Sequence, residues 1–432
     1  MTTWLVIVLM VNIGFHYMLD HVLVNSLSII DTKGRSIRND AAFGHDGHQS
    51  EWDVDDWWRQ TINDDIPVSN HRDLDASESL AMKTSVEGLF NTYFIKHVRS
   101  VRVNNDNFIR LKRILRSKFQ DYGLKSGLQK VDPRIKNIAN AGHNLVGIYP
   151  GIYRNDSDRD SILVIGAHYD TVPNSVGIED NASGSVAIME LARVLHEHRC
   201  ALNMTIMFVL FDMEEDGLYG SKTFVRDYLF PVEIGMRHVP VKGAIVIDML
   251  LEYDTDPGSQ DTSHLGPLVP SWRESVRANH NRADFAAVWA RRGTGDTALY
   301  KTLKHNWLNQ SKYKLLLLDP PLPRLGRQLT IGLNNKKLTP YKTFLRSDHS
   351  SFWYPHSIKD QSIPAILLTD LGPWRRRVAH RYHSSADNDK LLTKQNLLFL
   401  KNSIDSLLKT IIDMGDGRCH PPPANSVEAA TA

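Results

Sequence analysis

The sequence has little cysteine. Two residues, Cys200 and Cys419, stand in a chain of 432. That number excludes a disulfide framework and a thiolate zinc cluster, and it allows one disulfide at most. A surplus of charge is missing as well, since 51 basic residues against 49 acidic ones leave a formal charge of +2. No global field for nucleic acid is expected from that balance. Apolar runs are short. The longest at the start of the chain, Trp4–Phe15, has Asn12 as its polar interruption and falls below the ~20 residues of a membrane span. The remainder is ordinary globular usage, 42% hydrophobic and 23% charged. Disorder throughout, collagen-like repeats and a multi-span membrane protein are excluded on composition.

The run Trp4–Phe15 has the length of the apolar core of a secretory signal. No Lys or Arg precedes it, and Val24-Asn25-Ser26 is the candidate cleavage stretch. The expectation is a signal peptide over 1–26, and secretion or residence in the secretory lumen. A membrane anchor formed by the same segment is the fallback. Sequons at Asn155, Asn203 and Asn309 fit a secreted chain, whereas Asn181 adjoins a candidate metal ligand and is not expected to carry a glycan. Residues 27–78 read as an irregular leader or propeptide, with Trp52, Trp57 and Trp58 among acidic residues and no persistent period. The catalytic domain is placed at 79–415 and a tail at 416–432.

Basic residues gather at His97–Arg102 and Arg110–Lys118. In the second stretch Leu111, Ile114, Leu115 and Phe119 recur at helical spacing, which predicts an amphipathic helix with a basic face. The aromatic interleaving of a single-strand nucleic-acid binder is absent. Arg375, Arg376, Arg377 and Arg381 read as loop surface.

From about Asn144 the pattern changes. Ile162–Gly166, Thr205–Phe211, Gly243–Ile247 and Ala365–Leu368 are short apolar strands, and Ser185–His196, Ser221–Leu229 and Leu391–Ile412 carry helical spacing. Strands alternating with helices predict an α/β fold, a three-layer αβα domain with a mixed, mainly parallel central sheet. Strands without polar alternation suit a sheet covered on both faces. Residues from about 250 to 345 interrupt this order, and Pro320, Pro321 and Pro323 exclude continuous helix there. The segment reads as an insertion carried over the sheet edge.

Ligands of open α/β sheets bind beyond the carboxyl ends of the strands. The first strand ends in Ala167-His168-Tyr169-Asp170, the second in Asp212-Met213-Glu214-Glu215, the third in Asp248, and beyond the fourth lies His383. Asp180 opens the helix after the first strand. A set of His, Asp and Glu without thiolates suits zinc or a similar divalent ion. His168 and Asp170 share a face of an extended segment, so one can ligate while the other orients it. Glu214 and Glu215 point in different directions and can divide into a metal ligand and a general base. This many carboxylates in one place imply a cation.

The stretches AHYDTV (167–172), EDNASG (179–184), FDMEEDGLYGS (211–221), VIDM (246–249), SDHSSF (347–352) and YHSSAD (382–387) together resemble the dizinc exopeptidases of clan MH, peptidase family twenty-eight, in order and spacing over roughly residues 80–415. The resemblance implies two zinc ions per chain. Asp180 would bridge them, His168 and Asp248 would complete one site, and Glu215 and His383 the other. Glu214 would be the general base, Asp170 a partner of His168, and Asp348 and His349 would support the site without ligating. One position departs from the pattern. Some members carry a tyrosine three places before the serine of the SDH motif, where this chain has Phe344.

The activity implied is that of a metallo-aminopeptidase acting on peptides with a free amino terminus. No GxSxG is present, so no serine nucleophile is invoked. Two alternatives share the fold: a single-zinc glutaminyl-peptide cyclotransferase, and a non-catalytic ectodomain. The preferred residue and the oligomeric state are not legible.

Overall fold

Apolar side chains on both faces of the central strands determine the architecture. The computed structural model of the protein describes residues 80–103, 106–131, 141–310, 312–355 and 360–420. The expected signal, the leader and the last residues of the tail lie outside the described residues. In chain order the elements are helix α1 (Lys83–Leu89, running on through Phe94), α2 (Asp106–Asp121), strands β1 (Lys125–Val131), β2 (Gly142–Tyr149) and β3 (Ile162–His168), helix α3 (Ser183–Glu197), β4 (Thr205–Phe211), α4 (Tyr219–Phe224, running on to Met236) and β5 (Val241–Ile247). Then come α5 (Pro270–Ala278), β6 (Phe285–Trp289), α6 (Asp296–Gln310), β7 (Lys314–Leu318), α7 (Gly326–Asn334), α8 (His349–Trp353), β8 (Ala365–Thr369) and α9 (Lys394–Met414).

The described strands form one eight-stranded sheet in the order β1-β2-β4-β3-β5-β8-β6-β7. Its centre, β4-β3-β5-β8, is parallel throughout. The antiparallel pairings are β1 with β2, β2 with β4, and β6 with β8. Alternation along β3 shows why both faces are covered. Leu163 and Ile165 pack with α1, α2, α3, α6 and α9 on one side. Ile162 and Val164 pack with α4, α5, α7 and α8 on the other. Every residue of β3 and β4 is buried. The result is the three-layer αβα arrangement expected from the unalternated runs.

Three local readings are corrected. Residues 250–345 do not only pass over the sheet edge, because they supply β6 and β7, which extend it. In α2 the buried face is Phe108, Leu111, Lys112, Leu115 and Phe119, while Ile114 is 40% exposed. Lys112 is not part of a solvated basic face: its Nζ lies 2.6 Å from the fully buried Asp212. Arg375 is likewise buried, donating to the carbonyls of Glu252 and Phe285, whereas Arg376 and Arg377 are exposed as expected. Among the described residues no helix is long and apolar enough to cross a membrane.

The two cysteines pair. The Cys200–Cys419 disulfide joins the end of α3 to the segment after α9, across a sequence separation of 219. A loop of that length removes much of the freedom of the unfolded chain. Cys200→Ser is expected to cost about 2–5 kcal/mol of stability, read by denaturant unfolding, and a thiol titration of the native protein should find no free sulfhydryl.

Candidate metal centre

The parallel centre of the sheet brings the candidate residues to one edge. His168 is the last residue of β3, Glu214 and Glu215 follow β4, Asp248 follows β5, and His383 lies beyond β8. Asp180 stands just before α3. Since β4, β3, β5 and β8 are neighbours with a common direction, their ends converge.

Asp180 divides the centre in two. Its Oδ1 lies 3.2 Å from His168 Nε2, which is itself 3.5 Å from Asp248 Oδ1. Its Oδ2 lies 3.3 Å from His383 Nε2, which is 3.1 Å from Glu215 Oε2. The groups His168–Asp180–Asp248 and Asp180–Glu215–His383 each offer three donor atoms within 4.8 Å of one another. Nδ1 of His168 faces only acceptors, the Asp170 carbonyl at 3.2 Å and Asp170 Oδ1 at 3.5 Å. A ring proton on Nδ1 would leave Nε2, which faces Asp180 and Asp248, to ligate.

Three side chains hold this arrangement through backbone amides. Asp170 accepts from the N–H groups of Glu214 and Glu215 at 3.1 and 3.2 Å, so it orients the glutamate pair as well as His168. Asp387 accepts from Glu179 and Asp180 at 2.8 and 3.1 Å, tying the His383 loop to the Asp180 loop. Asn181 donates to Ile247 O at 2.9 Å and accepts from Met249 N at 3.2 Å, which fixes Asp180 against Asp248. A side chain at Gly184 would press on Asn181 Oδ1 and Ile247 O, each 2.7 Å from an added Cβ, so only glycine admits this approach. Asn181 is fully buried, in keeping with the expectation that its sequon carries no glycan.

Backbone conformation at the centre is unusual. Met213, Met249 and His383 have φ values of 59°, 54° and 56°. Such conformations cost about 1–3 kcal/mol each and persist where surrounding contacts over-determine them. Here Met213 N–H bonds to Asp212 and Met249 N–H to Asn181.

The electrostatics are those of a site built around positive charge. Burial raises Glu214 well above the carboxylate range, with Glu215, Asp348 and Asp248 adding to it. Burial and the neighbouring Asp180 bring Glu215 up to about 7. Burial opposes charge on His383, yet Asp180 and Glu215 carry its imidazole up to about 10. Glu215 Oε1 has no hydrogen-bond partner among the described residues, and His383 Nε2 meets only carboxylate oxygens. Buried carboxylate and imidazole atoms so placed are the donor set of a divalent cation, and histidine with carboxylate and no thiolate suits one of the zinc class. Glu214 belongs to neither triad but lines the same pocket as His168, Asp180, Glu215 and Asp248.

The motif residues Asp348 and His349 are buried beside the centre, and His349 Nε2 donates to Phe344 O at 2.9 Å. Phe344 itself is fully buried and packs edge-on against Trp289 at 4.9 Å. A residue that the sequence reading missed is Arg99. It is fully buried and donates to the carbonyls of Tyr169, Val176 and Gly177 at 2.6, 2.6 and 2.9 Å. It thereby clamps the segments that carry His168 and Asp180. Burial lowers its pKa to about 10. The signal in the sequence was a basic stretch, which describes solvated lysines and arginines equally well.

The fold and this centre define a carboxylate- and histidine-lined candidate metal site at the strand ends of an αβα domain. Residues 144–287 match the family model described as peptidase family M28. Among curated proteins, the chain is 27% identical over 256 residues to the uncharacterized protein YfbL of Escherichia coli, covering 57% of this chain and 66% of that one. It is 31% identical over 128 residues to leupeptin-inactivating enzyme 1 of Streptomyces exfoliatus, covering 28% and 27%. It is 42% identical over 78 residues to aminopeptidase YwaD of Bacillus subtilis, covering 18% and 16%. The chain thus spans less than two thirds of each of these relatives. Among solved structures, the Legionella pneumophila LapA aminopeptidase superposes with a TM-score of 0.51 at 19% identity, covering 81% of this chain and 78% of that one. That likeness concerns the fold.

If Arg99 positions the ligand loops, Arg99→Met should weaken metal binding about 10–100-fold, as losses around a metal's ligands do. Competition with a chromophoric chelator measures this. A purely structural role would lower the melting temperature and leave the affinity of the folded protein unchanged.

Proposed function

We propose that the protein is a zinc-dependent aminopeptidase that holds two metal ions and removes residues from the amino ends of peptides. The observation that carries this reading is the position of Asp180, whose two oxygens belong to separate three-residue donor groups. A carboxylate so divided suits a bridge between two ions. Zinc held there would lower the pKa of a water toward neutrality and polarise the scissile carbonyl. In this reading the ligands are His168 and Asp248 on one side of Asp180, and Glu215 and His383 on the other.

Glu214 does the proton work. It lines the pocket without belonging to a donor group, which leaves its carboxylate available to take a proton and return it to the leaving amine. Asp170 keeps Glu214 and Glu215 apart by holding both amides. The walls of the pocket include Met249, Trp289 and Leu371, which suit an apolar first side chain.

Location is part of the proposal: the chain enters the secretory pathway. The apolar run Trp4–Phe15, the disulfide and the exposed Asn155 support it. In a eukaryotic host the mature protein should begin after the run and shift in mass on deglycosylation. An intact Met1 with unmodified asparagines would overturn this.

Metal analysis of active protein should find two zinc-class ions per chain, and a single ion at saturation would favour the cyclotransferase alternative. Asp180→Ala should weaken both sites together and His383→Ala mainly one. Glu214→Gln should keep both ions and lose about 10²–10⁴-fold in kcat, the usual contribution of a positioned general base. Glu215→Gln should instead lose metal and recover part of its activity in excess zinc. The reverse pattern would mean that the two glutamates exchange roles.

A further inference from the structure

We propose that Arg346 forms a carboxylate-binding subsite at the open end of the pocket, and that it recognises an anionic group on the residue that follows the scissile bond. The inference rests on the aminopeptidase reading and extends it to a substrate class.

Apart from imidazole, Arg346 is the one cationic side chain among the pocket's lining residues. It is exposed, whereas the candidate ligands His168 and Asp180 are buried, so it stands at the mouth and not on the floor. Despite the acidic surroundings it makes no ion pair among the described residues; its hydrogen bond is from Nη2 to Tyr382 Oη at 3.1 Å. That bond uses one of five N–H donors and leaves the rest of the planar fork available. The guanidinium also lies 5.7 Å from the ring centre of Trp374 and 6.0 Å from that of Tyr382. Tyr382 stacks on His383 with ring centres 3.7 Å apart, and Trp374 packs against Trp289 at 5.8 Å. Two aromatic side chains thus hold the fork, and one of them is tied directly to a ligand of the centre.

The position of the centre gives the substrate its direction. In the aminopeptidase reading the scissile bond of the first residue lies at the metal centre on the floor, so the leaving portion of the peptide runs toward the mouth. A guanidinium held there without an ion-pair partner among the described residues is suited to a bidentate carboxylate. Two sources of that group are available on the residue after the scissile bond: the terminal carboxylate of a dipeptide, or an acidic side chain. Because this charge does not change during reaction, the contact should act on KM more than on kcat.

The test compares four substrates: Leu-Gly and its amide, and Leu-Asp-amide and Leu-Asn-amide. In the wild-type enzyme at least one carboxylate-bearing member should exceed its neutral partner in kcat/KM by about 10–100-fold, through KM. The first pair reports the terminal carboxylate and the second the side chain. In Arg346→Met the ratio should fall to near one, and Arg346→Lys, which keeps the charge and loses the fork, should lie between. A wild-type ratio near one in both pairs would overturn the proposal without any variant. So would a ratio that survives Arg346→Met, or an equal slowing of both members of a pair. Failure of the metal-loaded wild-type enzyme to cleave leucyl anilide or any of the four would instead overturn the aminopeptidase reading, and this subsite with it.

Discussion

The centre depends on one buried carboxylate being shared. Asp180 turns one oxygen toward His168 and Asp248 and the other toward His383 and Glu215. Without a cation the cluster opposes itself, since two like charges about 4 Å apart repel by about 4 kcal/mol even at an effective dielectric constant near 20. Burial raises the carboxyls of Glu214 and Glu215, and the neighbouring carboxylates add to it. A protein can keep such a cluster only by fixing it rigidly and supplying positive charge. The surrounding structure provides the rigidity.

Much of that rigidity comes from polar side chains that are not ligands. Asp170, Asn181 and Asp387 each bond to backbone amides of a neighbouring loop, so each ties two loops together. Asp212 does the same one step further out: its carboxylate receives Lys112 Nζ at 2.6 Å and His143 N at 2.8 Å, just ahead of the glutamates. Arg99 closes the opposite side by gathering carbonyls of the segments before and after the Asp180 loop's entry. Amides that point at carboxylates and carbonyls that point at a guanidinium are both fully used, and this lets irregular backbone remain buried.

The candidate ligands were legible because they obey two local rules. They follow apolar strands, and parallel strands carry their chemistry at the carboxyl end. His168, Asp248 and the Glu214–Glu215 pair could thus be found by reading what comes after each run. The positioning residues follow no local rule. Arg99 and Arg375 lie in basic stretches that resemble solvated loops, and only carbonyls from residues some 70 to 120 positions away explain their burial. Lys112 is one of several cations on α2, chosen by Asp212 100 residues further on. Strands β6 and β7 were hidden for a related reason. Five-residue strands among prolines and polar loops carry too little periodicity to stand out, and the edge of an existing sheet supplies the pairing that their sequence does not announce.

The matched segment 144–287 contains His168, Asp180, Glu214, Glu215 and Asp248, which is most of the donor set and the candidate base. It does not contain the rest of the site. His383 and Asp387 come from beyond β8, Arg99 from ahead of α2, and Trp289, Phe344, Arg346, Trp374 and Tyr382 from the part of the chain after residue 287. Most of the donor set and most of the pocket's aromatic walls therefore come from different parts of the chain, with His383 outside the matched segment and Met249 inside it. A likeness confined to the first can fix the class of chemistry and leave the substrate open, because binding selectivity is set by what lines the pocket and its mouth. The hydrogen bond from Arg346 to Tyr382 and the stacking of Tyr382 on His383 lie wholly outside the matched segment, and it is Asp387, accepting from the amides of Glu179 and Asp180, that ties this outer part to the segment carrying most of the donor set.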